Sequence, residues 1–279
     1  MTEKMYRPSD LRAFLQGKGI KPKKGLSQNF LIDGNIIQKI IRTAQVNPND
    51  LIIEIGPGPG ALTQALLEAG AHVIAIEKDR SLADDLKRLQ TQDQRLTILC
   101  EDALLISLEG LLQKKTAKIV ANLPYQITTP LLTTLLPLYP AITSITVMVQ
   151  KEFADRLKAK PHSEEYSSIT LFLEFYAHLS SHFTVNPSCF YPKPSVHSSV
   201  IHCALHKPPL PEEKIASFFE LTRTAFQQRR KMIKVSCKKL APSLLIENAL
   251  SQLNLPITAR PEELSLSHFL DLFALLWDK

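Results

Sequence analysis

The segment Glu54-Ile55-Gly56-Pro57-Gly58-Pro59-Gly60 decides the fold of this chain. It ends an apolar run at residues 51–55 and directly precedes a stretch of helical periodicity at 61–69. Three glycines at alternate positions let the backbone turn sharply and approach a ligand closely. The spacing is G-x-G-x-G, unlike the G-x-G-x-x-G of most dinucleotide sites, and no basic residue follows the glycines. The loop therefore argues against a cofactor that contains a pyrophosphate.

Strands and helices alternate along the chain around this loop. Short apolar runs predict buried strands, and apolar residues at helical spacing predict helices. The predicted strands cover residues 51–55, 72–76, 96–99, 118–121, 145–149 and 196–205, and the predicted helices cover 35–44, 61–69, 81–89, 127–136 and 153–157. This alternation predicts an α/β fold in which helices cover both faces of a mostly parallel sheet.

A proline-rich segment, Lys207-Pro208-Pro209-Leu210-Pro211, marks a domain linker. Only helical periods follow it, at residues 212–227, 229–240, 243–253 and 266–276. We therefore predict a ligand-binding domain at residues 1–206, which opens with a basic segment at 1–25, and a small all-helical domain at 212–279.

The positive charge is concentrated at the two ends of the chain. The net charge is +5 for residues 1–50, −2 for 51–205 and +3 for 206–279, which makes +6 in all. A globular middle flanked by basic ends favours a nucleic-acid partner. Basic ends that are merely solvated are the alternative.

Other classes of protein are disfavoured. The four cysteines form no C-x-x-C pair, and His178 and His182 have no third ligand nearby in the sequence, so no metal site is expected. The first 25 residues are polar and basic, so we expect no secretory signal peptide and a cytoplasmic location. Residues 119–150 carry no charge, but four prolines interrupt them, so we expect no membrane span.

Two carboxylates follow the next two predicted strands. Glu77 comes 21 residues after Gly56, and Asp102 follows the strand at 96–99. In open α/β folds ligands bind at the carboxyl edge of the sheet, where all these residues fall. Glu77 can accept hydrogen bonds from both ribose hydroxyls of an adenosine, and Asp102 is placed to contact the adenine amino group. Taken alone, the loop has a second explanation as a structural turn, but the two carboxylates favour an adenosine-cofactor site.

The motif Asn122-Leu123-Pro124-Tyr125 follows the predicted strand at 118–121. It resembles the Asn/Asp-x-Pro-aromatic signature of enzymes that methylate the exocyclic amines of bases. The amino nitrogen of adenine is a poor nucleophile because its lone pair is delocalised into the ring. The Asn122 side-chain oxygen and the Leu123 carbonyl can accept its two N–H bonds and aim the lone pair at a methyl group. Pro124 fixes the turn, and Tyr125 offers a face on which a base can stack. A helix-entry turn with a buried tyrosine is the alternative.

Further motifs cover the chain from about Gly25 to the end of the helical region. They are Gly25-Leu26-Ser27-Gln28-Asn29-Phe30-Leu31, Val149-Gln150-Lys151-Glu152, Phe190-Tyr191-Pro192-Lys193-Pro194 with Val196 and Ser198, and Phe226-Gln227-Gln228-Arg229-Arg230-Lys231. With the glycine loop, the carboxylates and the Asn-Leu-Pro-Tyr motif, the set resembles the ribosomal RNA adenine N6-dimethyltransferases. Within that family it resembles the type that acts on small-subunit RNA.

The resemblance implies a Rossmann-like fold of the class I methyltransferases that use S-adenosylmethionine (SAM), with a mostly parallel seven-stranded sheet and a small all-helical C-terminal domain. It implies dimethylation at N6 of two adjacent adenines in the 3′-terminal hairpin loop of 16S rRNA, during small-subunit biogenesis. It implies methyl transfer by Asn122, Leu123, Pro124 and Tyr125, and contacts to the cofactor from Gln28, Asn29, Leu31, Gly56, Gly58, Glu77, Lys78, Asp102, Ala103 and Asn122.

Phe190 matches the second stacking aromatic of that family. The target base would leave its own stack and lie between Tyr125 and Phe190. From the sequence alone, a core phenylalanine is the commoner explanation for this residue.

Seven basic residues without an acid lie on a predicted helical segment, and we interpret them as RNA-binding: Arg223, Arg229, Arg230, Lys231, Lys234, Lys238 and Lys239. They can neutralise several phosphates, and a solvated helix face is the alternative. A second basic cluster, Lys18, Lys21, Lys23 and Lys24, precedes Gln28. Glycines interspersed with these lysines predict a mobile segment that closes over cofactor and RNA.

Three residues depart from the family pattern: Leu26, Gln126 and His197 stand where relatives often carry Phe, Asn and Asp. None is assigned to methyl transfer.

Two other functions stay open. One is a 23S rRNA adenine methyltransferase of the resistance type, which the motifs at 190–198 and 226–231 disfavour. The other is a non-catalytic ribosome-assembly factor, which the intact cofactor and Asn-Leu-Pro-Tyr motifs disfavour; an enzyme that is also an assembly checkpoint fits as well. We expect a monomer that acts on 16S rRNA within an immature small subunit, with no metal or membrane partner.

Overall fold

The computed structural model describes residues 4–26 and 28–277. Its strands are β1 (Phe30–Leu31), β2 (Leu51–Ile55), β3 (His72–Ile76), β4 (Leu96–Leu99), β5 (Ala117–Asn122), β6 (Ile142–Gln150), β7 (Ala177–Val185), β8 (Phe190–Tyr191) and β9 (Ser198–Leu205). Its helices are α1 (Pro8–Gly17), α2 (Gly34–Thr43), α3 (Ala61–Glu68), α4 (Arg80–Leu86), α5 (Leu108–Leu112), α6 (Thr128–Leu135), α7 (Lys151–Leu157), α8 (Ser168–Tyr176), α9 (Glu212–Gln227), α10 (Ile233–Ser236), α11 (Ser243–Gln252) and α12 (Leu266–Trp277). Within the described residues, no helix has the length and apolar character that crossing a membrane requires.

Seven of the strands form one sheet in the order β4-β3-β2-β5-β6-β9-β7. The first five strands in this order, β4, β3, β2, β5 and β6, pair in parallel, and β9 pairs antiparallel with β6. Ile52, Ile53 and Ile119 of the central strands are fully enclosed. Because both faces of these strands are buried, they appear in the sequence as continuous apolar runs. The prediction of a mostly parallel seven-stranded sheet is confirmed.

The ends of three strands lie in register at one edge of this sheet. Ile55 at the end of β2 pairs with Ile76 at the end of β3, and Ile76 pairs with Leu99 at the end of β4. The ladder continues for one residue, since Gly56 N donates to the Ile76 carbonyl and Glu77 N to the Leu99 carbonyl, both at 2.9 Å. The residues that follow these strands therefore meet at one edge of the sheet.

The basic N-terminal segment contains a helix, α1, that the sequence analysis did not predict. Leu11, Phe14 and Leu15 of α1 are buried in the core. Their i, i+3, i+4 spacing is the pattern that identifies an amphipathic helix. The segment is therefore anchored through apolar residues as well as rich in lysine and arginine.

The described residues divide into two compact units. The first comprises the residues up to Ala154 together with His178–His206, and the second comprises Asp155–Ala177 together with the residues from Lys207 onward. The sequence-based division at 206 and 212 did not assign residues 155–177 to the second unit.

Aromatic packing explains why this inserted segment belongs to the second unit. Phe175 on α8 stacks on Phe218 of α9, with the ring centroids 5.1 Å apart. The hydroxyl of Tyr166 donates a 2.9 Å hydrogen bond to the carbonyl oxygen of Leu264. The core of the second unit is therefore built from residues that are far apart in the sequence.

The basic segment after α9 is not the single helix that the sequence predicted. Helix α10 spans only Ile233–Ser236, so the predicted helix at 229–240 is wrong over most of its length. The backbone leaves helical geometry at Gln228, where ψ is 57°, and at Met232, where ψ is 145°. In the turn between them, the guanidinium of Arg229 donates to the carbonyl oxygens of Ser163 and Glu164. This turn is therefore held by hydrogen bonds to a loop at residues 163–164, in place of the backbone hydrogen bonds of a helix.

We expect Gly60→Ala to destabilise the protein by about 2 kcal/mol, because Gly60 has a φ of 86° that an L side chain rarely adopts. A new methyl group would also lie 2.7 Å from Leu86 Cδ2, although that leucine side chain can move aside. Urea unfolding measures the change. Gly17→Ala is the matched control, since nothing lies within 4 Å of a methyl group at the end of α1. Equal stabilities of Gly60→Ala and wild type would contradict the claim of backbone strain.

Candidate functional site

One pocket in the first unit gathers the residues that were predicted to bind the cofactor. It lies at the carboxyl edge of the sheet described above. Its lining includes Gln28, Asn29, Leu31, Gly56, Gly58, Glu77, Lys78, Asp102, Ala103 and Asn122, together with Leu123, Pro124 and Tyr125. Residues separated by almost a hundred positions in the sequence are therefore brought to one site. Their assigned roles stay predictions.

The glycine loop and Glu77 are tied together by backbone hydrogen bonds. Gly58 N donates to Glu77 Oε2 at 3.0 Å, and Asp79 N donates to Glu77 Oε1 at 2.8 Å. Burial raises the pKa of Glu77, and these two N–H donors oppose that rise. The carboxylate is thus held in one orientation at the end of β3, with lone pairs left for further donors.

Asp102 is paired with a lysine that was also predicted to contact the cofactor. Lys78 Nζ lies 2.8 Å from Asp102 Oδ2, and Leu104 N donates to Asp102 Oδ1 at 3.0 Å. The Lys78 hydrogen bond holds the pKa of Asp102 below its ordinary value. Because the Lys78 side chain is 60% exposed, the ion pair is weak and easily rearranged when a ligand arrives.

The side-chain amide of Asn122 has a defined orientation. Its Nδ2 donates to the backbone carbonyl of Asn29 at 3.0 Å. Leu123 N donates to the Met148 carbonyl at 3.2 Å, which continues the pairing of β5 with β6 past the last strand residue. With Nδ2 used in this way, Oδ1 is the amide atom that remains to accept a hydrogen bond from a bound base.

Tyr125 is held at its hydroxyl. The hydroxyl oxygen lies 2.8 Å from the Oγ of Ser198, which is fully buried at the start of β9. Burial raises the pKa of Tyr125, so the phenol stays neutral. The tyrosine ring is anchored to the sheet while it lines the pocket.

Phe190 lies away from the pocket lining. It is 3% exposed and belongs to the hydrophobic core of the first unit. Its strand β8 pairs antiparallel with β1, which sets Phe190 opposite Leu31. In this conformation it is a core phenylalanine, the commoner reading of the sequence, and its role as a stacking residue stays a prediction that requires the ring to become exposed.

The sequence analysis missed Glu54 as a site residue. Glu54 is 1% exposed and lines the pocket, and its Oε2 has no hydrogen-bond partner among the described residues. Burial, with Glu77 nearby, raises its pKa to about 8. The signal was present in the sequence as a lone acid inside the apolar run that forms β2. A buried carboxylate oxygen without a donor is costly, so it indicates a place for a ligand cation.

The predicted basic clusters are only partly free to meet a polyanion. Lys18 and Lys23 pair with Asp85 and Asp79 at 3.0 and 2.8 Å. In the second unit, Lys234 pairs with Glu247 at 2.7 Å, while Arg229 is bonded to backbone carbonyls as described above. The exposed members of the predicted RNA-binding set are Arg223, Arg230, Lys231, Lys238 and Lys239.

No group of three or more His, Cys, Asp or Glu side chains within residues 4–26 and 28–277 is arranged to hold a metal ion.

A mostly parallel sheet whose glycine loop, Glu77 and Asn-Leu-Pro-Tyr motif line one pocket defines a class I methyltransferase. The fold is similar to the crystal structure of a dimethyladenosine transferase from Plasmodium falciparum, with a TM-score of 0.74 and 25% identity over 87% of this chain and 95% of that chain. It is also similar to the 23S rRNA methyltransferase ErmE, with a TM-score of 0.71 and 24% identity over 90% of this chain and 100% of that one, a likeness of fold alone.

Sequence comparison narrows the class to a family. The family model for ribosomal RNA adenine dimethylase matches residues 19–278. The chain is 51% identical over 274 residues to the ribosomal RNA small subunit methyltransferase A of Protochlamydia amoebophila, covering 96% of each protein. It is 47% identical over 270 residues to the protein of the same name from Chlamydia trachomatis, covering 96% of this chain and 97% of the relative. The chain therefore belongs to the ribosomal RNA adenine dimethylase family, and the resemblance seen in its motifs is confirmed.

We expect the cofactor-free protein to lose stability relative to Glu54→Gln as the pH rises from about 5 to about 8. The pKa of Glu54 is about 8 in the folded chain against an ordinary value of 4.5, so the folded state retains a proton that the unfolded state releases. This contribution is fully present below pH 4.5 and is lost as the pH rises through 8. Urea unfolding at several pH values measures the difference. Parallel stability profiles for the two proteins would show that Glu54 ionises normally.

Proposed function

We propose that this methyltransferase uses S-adenosylmethionine to dimethylate N6 of two adjacent adenines in the 3′-terminal hairpin loop of 16S rRNA, giving N6,N6-dimethyladenosine during small-subunit biogenesis. The observation that carries the proposal is the fixed amide of Asn122, whose Oδ1 remains free to accept from an amine at the rim of the pocket. Relatives that are 51% and 47% identical in sequence are named ribosomal RNA small subunit methyltransferase A, which supports this substrate over 23S rRNA.

The pocket fits the chemistry of S-adenosylmethionine at three points. The unpartnered Oε2 of Glu54 offers an acceptor to the ammonium of the methionine part. The Glu77 carboxylate, fixed by two N–H donors, offers lone pairs to the ribose hydroxyls. Asp102 follows the end of the neighbouring strand, β4, where its carboxylate could accept a hydrogen bond from the adenine amino group. When bound, the cofactor supplies an electrophilic methyl group on a sulfonium.

The residues of the chain contribute mainly by positioning. Asn122 Oδ1 and the Leu123 carbonyl accept the two N–H bonds of the target amine and turn its lone pair toward the methyl group. Pro124 directs the Leu123 carbonyl inward, and the anchored ring of Tyr125 stacks on the base. No strongly basic side chain is required, because the amine becomes acidic as its nitrogen bonds to carbon and its proton passes to water.

RNA binding is proposed for the exposed basic residues of the second unit. Arg223, Arg230 and Lys231 are exposed, whereas Arg229 and Lys234 are engaged within the unit and contribute to its structure. We propose that the protein acts as a monomer in the cytoplasm on 16S rRNA within an immature small subunit, and that neither a metal nor a membrane takes part.

Asn122→Ala is expected to lower the rate of methyl transfer by about 100- to 1,000-fold, which corresponds to about 2.7–4 kcal/mol of transition-state stabilisation. Cofactor affinity should fall much less, because the Glu54, Glu77 and Asp102 contacts remain. Single-turnover transfer from labelled cofactor to small subunits that lack the modification measures the rate, and calorimetry measures affinity. Tyr125→Phe is the companion variant: it removes the Ser198 hydrogen bond but keeps the ring, so most activity should remain. A near-normal rate for Asn122→Ala would contradict the assigned role.

The double variant Arg230→Ala/Lys231→Ala should weaken RNA binding and reduce the slope of log affinity against log salt by about 1.4–1.8, since each neutralised phosphate contributes about 0.7–0.9. Fluorescence anisotropy with a terminal-hairpin RNA measures both quantities. The control is Lys114→Ala/Lys115→Ala, which removes the same charge from two exposed neighbouring residues in the turn before β5. If the two double variants changed the slope equally, the effect would be net charge, and the patch would not be the RNA contact.

A further inference from the structure

A nearly buried aspartate, Asp79, joins the N-terminal segment to the wall of the cofactor pocket. Its side chain is 2% exposed. Its Oδ2 accepts from Lys23 Nζ at 2.8 Å and from Gln28 Nε2 at 3.2 Å. The backbone N–H of Lys23 in turn donates to Gln28 Oε1 at 2.8 Å. Asp79 thus fixes two residues that precede Asn29 and hold it at the pocket.

The same aspartate is tied to the fixed structure on its other side. Its Oδ1 accepts from Ser81 N at 3.1 Å and caps helix α4, while its own N–H donates to the Glu77 carboxylate. Burial raises the pKa of Asp79, but the hydrogen bonds from Lys23 and Gln28 outweigh this and keep the pKa below its ordinary value. The group therefore stays ionised at neutral pH and attracts Lys23 continuously.

The segment that Asp79 holds ends at the catalytic amide. Asn29 directly follows Gln28, and the Asn29 carbonyl accepts the 3.0 Å hydrogen bond from Asn122 Nδ2. Phe30, the next residue, lies against Gly58, whose added methyl group would be 3.0 Å from the Phe30 ring. The position of residues 28–30 therefore decides whether the Asn122 amide presents Oδ1 or Nδ2 to the target amine. If the Asn122 amide were flipped, Nδ2 would face the target amine, and two hydrogen-bond donors would oppose each other.

We propose that Asp79 is a positioning residue for methyl transfer: by holding Lys23 and Gln28, it places the Asn29 carbonyl so that this carbonyl orients the Asn122 amide. The inference rests on the proposed function and extends it. It attributes the orientation of Asn122 Oδ1, the proposed acceptor for the target amine, to the ion pair between Asp79 and Lys23. Asp79 itself is not among the residues that line the cofactor pocket.

Two variants test the proposal from its two sides. Asp79→Asn keeps the volume and the helix cap but removes the charge, and Lys23→Met removes the partner while leaving Asp79 in place. Each is expected to lower the single-turnover rate at saturating cofactor and RNA by about 10- to 100-fold, because misplacement of a positioning group has effects of this size. Lys87→Met is the matched control. Its side chain is 64% exposed against 55% for Lys23, and it pairs with Asp84 at 2.8 Å, outside the connection to Asn29.

A double-mutant cycle separates positioning from general destabilisation. In the Asn122→Ala background, Asp79→Asn should cause less than a twofold further loss, because the amide that it orients is gone. Full additivity in that background would overturn the proposal. So would a Lys23→Met or Asp79→Asn protein whose cofactor KM rises while the saturated rate stays normal, since that result assigns the ion pair to cofactor binding alone.

A spectroscopic readout keeps this test apart from that of the proposed function. The side-chain NH₂ signals of Asn122 can be assigned in ¹⁵N-labelled protein without substrate, by their loss in Asn122→Ala. They should shift and exchange faster with solvent in Asp79→Asn and Lys23→Met but not in Lys87→Met. Unchanged signals in the first two variants would refute the orienting role even if methyl transfer were confirmed. If wild type transferred no methyl group, the proposed function would fail while this readout still decided the orienting role.

Discussion

The Glu77 carboxylate, held by the N–H groups of Gly58 and Asp79, is the interaction on which the site depends. It ties the glycine loop after β2 to the end of β3, and the two strands are already in register at that edge. Burial of the carboxylate is tolerated because two backbone donors satisfy it before a ligand arrives. The carboxylate that we propose to bind the ribose is thus built into the hydrogen bonding of the sheet edge.

The other features of the pocket are arranged around this anchor. Asp79 links it to the N-terminal segment, and that segment reaches across to Asn122 at the end of β5. The buried carboxylate of Glu54 lies on the same strand that leads into the glycine loop and leaves one oxygen for a cationic group. In the proposed function, cofactor binding and presentation of the target amine therefore share one set of backbone contacts.

The sequence was sufficient for the parts of the structure that depend on local pattern. The bounds of β2, β3 and β4 match the apolar runs, and residues at strand ends fall where parallel topology requires them. The sequence was insufficient where the local conformation depends on contacts with residues far away in the chain. The burial of Phe190 depends on pairing between β1 and β8, and the turn at Arg229 depends on carbonyl groups at 163–164. Helix α8 joins the second unit because its aromatic rings match those of α9, which no periodicity reveals.

The most direct measurement is nucleoside mass spectrometry of RNA after incubation of the protein and labelled S-adenosylmethionine with small ribosomal subunits that lack the modification. The proposed function predicts N6,N6-dimethyladenosine, recovered from the 3′-terminal hairpin of 16S rRNA and absent when Asn122 is replaced by alanine. Labelled product in 23S rRNA, with none in small subunits, would contradict the assigned substrate. Tight cofactor binding without transfer to either RNA would contradict the catalytic role of Asn122 itself.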